Sequence, residues 1–178
     1  MSDRLTPFSY VILVLVGRGG AGPHDLRQMS ERGRVYWDAA PSQWYAEPKR
    51  LERLGLLTAR KAPGRTRQRT HYELTDAGRA AVAEWVRTPV PRPRMQHEAV
   101  VRLMAADLVD PAAVAEGLAP LRAELDEADR EVREGMAAAA DLPERARLLE
   151  VNHRYAARML ELQRAWLDEA EAVLRERE

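Results

Sequence analysis

PSQWYAEPKRLERLGLLTARKAPGRTRQRTHYELT, residues 41–75, reads as an amphipathic helix, a stop at Gly55, a short apolar strand, an arginine-laden turn and a second strand. Pro41 marks the helix start, and the helical period turns Trp44, Leu51 and Leu54 inward and Gln43, Glu47, Arg50 and Arg53 outward. Residues 56–60 and 71–74 pair as strands around KAPGRTRQR. A helix that fits the DNA major groove and a cationic β-ribbon that can lie on the adjacent backbone are the two parts of a winged helix-turn-helix, so the stretch predicts a recognition helix followed by a wing.

Working outward, Thr6 or Ser9 can start a first helix whose buried run YVILVLV ends at Gly17, with GRGGAG as a flexible stop. Pro23 opens a second helix, PHDLRQMSERG, with Leu26 and Met29 on one side and Gly33 as terminator. Residues 34–40 form a short connection that contains Trp37. After the second strand, Thr75 and Asp76 cap a helix with Ala80, Val82, Trp85 and Val86 available for burial. Three prolines between Thr88 and Arg94 forbid helix and favour an extended linker. The expected organisation is therefore a winged helix-turn-helix domain over residues 1–88 and a helical domain over 89–178, a mostly α fold. In the second domain Leu118, Leu121, Leu125, Ala128, Val132 and Met136 form one seam, and Pro143 closes that segment. The last helix carries two stripes: Leu148, Tyr155, Met159, Leu162, Trp166 and Val173, and beside it Leu149, Leu160, Leu167 and Leu174. Two stripes need two partners, and the simplest pair is the preceding helix and a second copy of the chain, because a two-fold contact needs only one self-complementary surface.

Charge supports the division. The chain is neutral overall, yet residues 1–88 carry 15 Arg and Lys against 9 Asp and Glu, while residues 89–178 carry 13 against 19. Five of the basic residues lie between Arg60 and Arg69, which points to a polyanion-binding front. Cysteine is absent, so disulfides, thiolate nucleophiles and Cys-ligated zinc are excluded. His24, His71, His97 and His153 include no i, i+4 pair for a helical metal site. No nucleophile, glycine-rich phosphate loop or metal spacing appears, so neither an enzyme nor a cofactor is expected. The longest apolar run, residues 10–16, is far short of the roughly 20 residues that span a bilayer, and a cytoplasmic protein without a membrane partner is expected.

On double-stranded DNA, the first turn of the recognition helix must reach base edges, which makes Ser42, Gln43, Tyr45, Lys49 and Arg50 the candidates there. Gln43 can pair bidentately with adenine and Lys49 can donate to guanine. Arg65, Arg67 and Arg69 alternate along the wing and would supply phosphate contacts, hence affinity and salt dependence more than sequence choice. Pro48 leaves a choice open, since inside a helix it costs about 3 kcal/mol. Either the regular helix starts near Ala46 or Glu47, or residues 41–47 are a separate turn that aims Gln43 and Tyr45. A winged helix can also bind protein, and an adaptor without sequence-specific DNA binding is the alternative reading.

SYVILVLV with GPHDLRQM, then PSQWYAEPKRLERLGLL, then GRTRQRTHYELTDAGRAAVAEWV resemble, in order and spacing, the PadR family of bacterial transcriptional regulators. The helical second half resembles the subgroup of that family with a long, virulence-activator-like tail. The resemblance implies a homodimer that reads palindromic operators, usually a repressor released by a small molecule. It also implies a final helix that dimerises, helped by the first helix through Leu5, Phe8 and Ile12. Flat aromatic or hydrophobic effectors of family members suggest Trp166, Tyr155 and Met159 as lining for such a compound. His97 beside Glu98 is read as a solvated pair. The chain departs from the family at Ser42, Trp44 and Tyr45-Ala46, where many members have a small residue, Leu and Tyr-Pro, and its proline is displaced to Pro48. MarR-type regulators share the winged helix but flank it with helices on both ends, whereas here the motif begins near residue 5.

Overall fold

The computed structural model describes residues 4–31, 37, 39–62 and 69–177. The chain divides into two compact units, the first ending at Pro91 and the second beginning at Arg92.

In the first unit, helix α1 (Pro7–Val16) starts at Thr6, not Ser9: the Thr6 side chain accepts from the Ser9 amide while the Ser9 hydroxyl accepts from the Thr6 amide, a closed capping box. Ile12, Leu13 and Val16 of α1, Leu26 of α2 (Pro23–Glu31), and Trp44 and Leu51 of α3 (Gln43–Arg53) form the core. Ile12 is 0% exposed, so its expected place at a subunit interface is overturned: the helical period of α1 points it into its own core. Leu5 and Phe8 pack against the edge of that core, and Phe8 stacks at 6.3 Å on Trp37 and meets Trp44 edge-on at 4.9 Å. Met29 stays exposed although Leu26 beside it is buried. Gly33, expected to end α2, lies outside the described residues.

α3 is one helix from Gln43, so both expectations for a late start or a separate turn give way to a proline held inside the helix. Pro48 is fully buried between Trp44 and Leu51, and packing offsets its missing amide donor. The helix ends at Gly55, whose φ of 72° suits a residue without Cβ, and the Leu56 amide returns to the Leu51 carbonyl at 3.0 Å. Strands β1 (Leu57–Ala62) and β2 (Arg69–Leu74) pair antiparallel from Leu57 opposite Leu74 to Ala62 opposite Arg69, longer than the sequence pattern suggests because the ladder continues through polar residues.

The glycine segment before α2 does more than stop α1. Ala21 and Tyr72 exchange two backbone hydrogen bonds of 3.0 Å, so residue 21 adds a third edge to the hairpin. Gly20 makes this approach possible, because at φ 78° a Cβ there would collide with the His71 ring and the Tyr72 carbonyl. Thr75 then caps α4 (Asp76–Trp85), accepting from the Gly78 amide at 3.0 Å and donating to the Gly55 carbonyl at 2.7 Å. Trp85 stacks on Tyr10 at 4.6 Å and Val82 packs at the core edge. Ala80 and Val86 remain exposed, against expectation, since α4 touches the core along a narrow stripe only.

The second unit contains α5 (Glu98–Met104), a 3₁₀ turn at Ala105–Asp107, α6 (Pro111–Leu118), α7 (Pro120–Ala139) and α8 (Ala146–Arg175). Pro120 breaks the expected continuous seam into α6 and α7. Its Leu118, Leu125 and Val132 are buried, but Met136 leaves the seam and is exposed. α7 and α8 run antiparallel: Arg122 near the start of α7 bonds Asp168 and Glu171 near the end of α8 at 2.7 and 3.0 Å. These bonds hold the Arg122 guanidinium above its usual value. Of the two stripes of α8, Leu160, Leu167 and Leu174 are buried in the unit, whereas Leu148, Tyr155, Leu162 and Val173 are exposed. Met159 and Trp166 are half-buried between the two. Among the described residues no helix is long and apolar enough to cross a membrane and no group of His, Asp and Glu could hold a metal ion.

Candidate nucleic-acid interface

One side of α3 and the hairpin form an open groove of about 880 Å³. Its helical wall is Ser42, Tyr45, Lys49 and Arg53, and its strand wall is Arg60, Lys61 and Thr70. Positions 45, 49 and 53 recur every four residues, so one helical face delivers a phenol, an ammonium and a guanidinium in a row. Lys49, Arg53 and Lys61 have no ion-pair partner among the described residues, although Glu52 also borders the groove. Arg60 is engaged differently. It donates to Glu73 at 2.6 Å, and that hydrogen bond, more than the attraction of the charges, holds the Glu73 carboxyl below the usual carboxylate range. Tyr72 closes the groove from below; burial, then the charge of Glu52, pushes its phenol above its usual value, so it stays a neutral donor near pH 7.

The residues expected to meet DNA separate into five groups. Ser42, Tyr45 and Lys49 come together in the groove. Gln43 lies on the other flank of α3, lining a cleft of about 640 Å³ with Arg4, Thr6 and Phe8 of the chain start. Arg69 is half-exposed and 3.6 Å from Asp25 on α2. Arg65 and Arg67, at the expected wing tip, lie outside the described residues. Arg50 and Glu47 do not face outward as the helical period suggests. Their side chains are 18% and 14% exposed and bind each other at 3.0 Å, with Ser9 of α1 as a third member. A simple period counts charge as outward; the hydroxyl on α1 gives these two an inward partner. Sequence reasoning did not single out Arg53, Arg60 and Lys61 as groove residues. The four-residue repeat from Tyr45 was the available signal for Arg53.

In the second unit Trp166 meets the His97 ring edge-on at 5.1 Å. His97 accepts from the Val100 amide and so caps α5, while Glu98 bonds Arg102 at 2.6 Å; the expected His97–Glu98 pair gives way to a cap and an i, i+4 ion pair.

Residues 12–84 match the transcriptional regulator PadR-like family. No curated protein matches the chain. Among solved structures it is similar to the Vibrio cholerae virulence activator AphA, at 26% identity with a TM-score of 0.73, over 96% of this chain and 99% of that one. It is also similar to Bacillus subtilis PadR in complex with operator DNA (19% identity, TM-score 0.77, 97% and 99% of the two chains) and in complex with p-coumaric acid (19%, 0.60, 94% and 98%). A third likeness is the PadR-like transcriptional regulator BC1756 from Bacillus cereus (14%, 0.75, 96% and 99%). The PadR and BC1756 likenesses concern the fold, and they extend through both units. The winged-helix region, whose α3 and hairpin carry Lys49, Arg53 and Lys61 without an ion-pair partner among the described residues, is thus the part of the chain that matches the PadR-like family of transcriptional regulators.

Proposed function

We propose that the protein is a homodimeric, ligand-responsive repressor that acts in the cytoplasm on a pseudo-palindromic operator. The observation that carries the DNA reading is the groove: Lys49 and Arg53 on α3 face Lys61 on the hairpin, and among the described residues no acid pairs with them. Arg53 and Lys61 would attract phosphate, while Ser42, Tyr45 and Lys49 from the groove, and Gln43 from the other flank of the same helix end, would meet base edges. Arg69, with Arg65 and Arg67, would follow the flanking backbone. Residues 1–88 would thus read DNA and residues 89–178 pair the subunits. The exposed stripe of α8, Tyr155, Leu162 and Val173 with the half-buried Met159 and Trp166, is the surface a second copy would cover, helped by Leu5 and Phe8. Trp166, Tyr155 and Met159 offer apolar and aromatic contacts for a small hydrophobic or aromatic effector, in keeping with p-coumaric acid as the ligand of the B. subtilis relative.

The test is selection of bound sequences from a random duplex pool by the purified protein at two salt concentrations. An inverted repeat, with half-sites about one helical turn apart, is the expected result. Salt-sensitive bulk binding without enrichment would sink operator reading and leave the adaptor role. Release of the selected duplex by p-coumaric acid or a similar phenolic acid tests the effector.

A further inference from the structure

We propose that Ser9, Glu47 and Arg50 form a positioning clamp that sets the angle of α3, and with it which side chains of α3 can read bases. The inference rests on the DNA reading given above. The Glu47 carboxylate accepts from Arg50 Nε and Nη2, both at 3.0 Å, and from the Ser9 hydroxyl at 2.6 Å. The same hydroxyl accepts from Arg50 Nη2 at 3.1 Å and from the Thr6 amide at 2.9 Å. A hydroxyl has one donor and two acceptor positions, and here all are used. Arg50 Nη2 also reaches the Arg4 carbonyl at 3.5 Å. One serine side chain therefore belongs at once to the cap of α1 and to the middle of α3, and the first turn of α1 cannot shift without moving α3.

The placement of the clamp matters because α3 is weak there. Pro48 lacks the amide that would bond the Trp44 carbonyl, so the helix is missing the rung that joins those two residues. Glu47 and Arg50 flank Pro48 along the chain, so their pairing bridges the residue that lacks the donor. Seven residues separate Arg50 from Gln43, about 10 Å of helix, so a tilt of about 10° pivoting at the clamp displaces the reading end by about 2 Å. Bidentate base recognition does not survive such a displacement, whereas point-charge attraction to phosphate hardly notices it. Gln43 also lines the cleft beside the clamp, with Thr6 and Phe8, and is the side chain most exposed to any shift between α1 and α3.

The experiment compares the full chain with Glu47→Gln, Arg50→Lys and Ser9→Ala. Each is titrated with the duplex selected by the wild type and with random duplex across a salt series, well below each variant's melting midpoint. Glu47→Gln keeps the size of the side chain and Arg50→Lys keeps the charge, so neither should unfold the unit, and Ser9→Ala perturbs the same network from α1. The expected result is a loss of about tenfold in preference for the selected duplex in each variant, with random-duplex affinity and salt slope unchanged. The double variant of Glu47 and Arg50 should lose no more than either single change, since both break one network. Arg50→Lys indistinguishable from wild type, or a parallel fall on both duplexes with a shallower salt slope, would overturn the clamp and return Arg50 to a phosphate contact. Failure of the wild type itself to select any sequence would instead defeat the DNA reading, and the positioning role with it.

Discussion

The two units are held together by different means. In the first, elements distant in sequence are tied by directional bonds: Ala21 to Tyr72 through the backbone, Thr75 to Gly55, Ser9 to Glu47, and His71 Nε2 to the Gly19 carbonyl at 3.1 Å. In the second, a side-chain seam between α7 and α8 is flanked by exposed ion pairs, among them Arg122–Asp168 and Arg164–Asp126 at 2.7 and 2.9 Å. Directional bonds specify angles; apolar seams specify a face and tolerate adjustment along it. A surface that must match the spacing of base edges needs the first kind. The second unit leaves large apolar side chains uncovered on α8, and also Val101, Met104 and Leu108 on and after α5.

The contrast can be broken most strongly on α8. Leu167→Ala, at a fully buried seam position, should destabilise the second unit by about 2–5 kcal/mol, read by urea unfolding. Leu162→Ala, seven tenths exposed on the same helix, should leave monomer stability within about 0.5 kcal/mol and instead weaken subunit pairing. Equal unfolding losses at the two positions would erase the distinction between the stripes, and an unchanged sedimentation mass for Leu162→Ala at low micromolar concentration would count against self-pairing. Next in size, Gly20→Ala should cost about 1–3 kcal/mol, since it combines a left-handed backbone with collision against His71 and Tyr72. Hydrogen exchange at the Ala21 and Tyr72 amides should report the loss, and unchanged protection there would show that the third edge is dispensable. Thr75→Ala removes one cap bond and one loop bond and should cost about 1 kcal/mol in a thermal melt.

The smallest effect concerns acid. Because Arg60 lowers the Glu73 carboxyl in the folded protein, the contribution of that pair is present above the ordinary carboxylate range and is lost as pH falls through the lowered folded value. Glu73 is solvent-accessible, so the effect should be local to the hairpin. Protection factors of the Arg60 and His71 amides, with intrinsic exchange at each pH divided out, should fall on acidification in the wild type and not in Glu73→Gln. Identical profiles in the two proteins would remove the pair from the account of wing stability.

Much of this architecture follows from local rules. The proline and threonine starts of α1, α2 and α4, the glycine after α3, the alternating hairpin and the two stripes of α8 each depend on residues within one or two turns, so periodicity and capping chemistry suffice to place them. Which stripe of α8 would be buried was not local, because both are apolar and only packing against α6 and α7 distinguishes Leu160 and Leu167 from Leu148 and Leu162. Pro48 looked like a boundary because its cost is counted along the helix, whereas the burial that offsets it comes from across the core. Ile12 looked like an interface residue by resemblance and proved to be core.

The sequence by itself determined the order of elements, the charge of the hairpin and the four-residue repeat of Tyr45, Lys49 and Arg53, since these are properties of neighbours along the chain. Only the tertiary structure decided that Arg50 is spent inside the protein and that Gln43 lines a cleft with Thr6 and Phe8. The reason is that a charged side chain on a half-buried face is assigned by the partner it finds. That partner, the Ser9 hydroxyl, lies 41 residues away and is brought near only when α1 and α3 close on their common core.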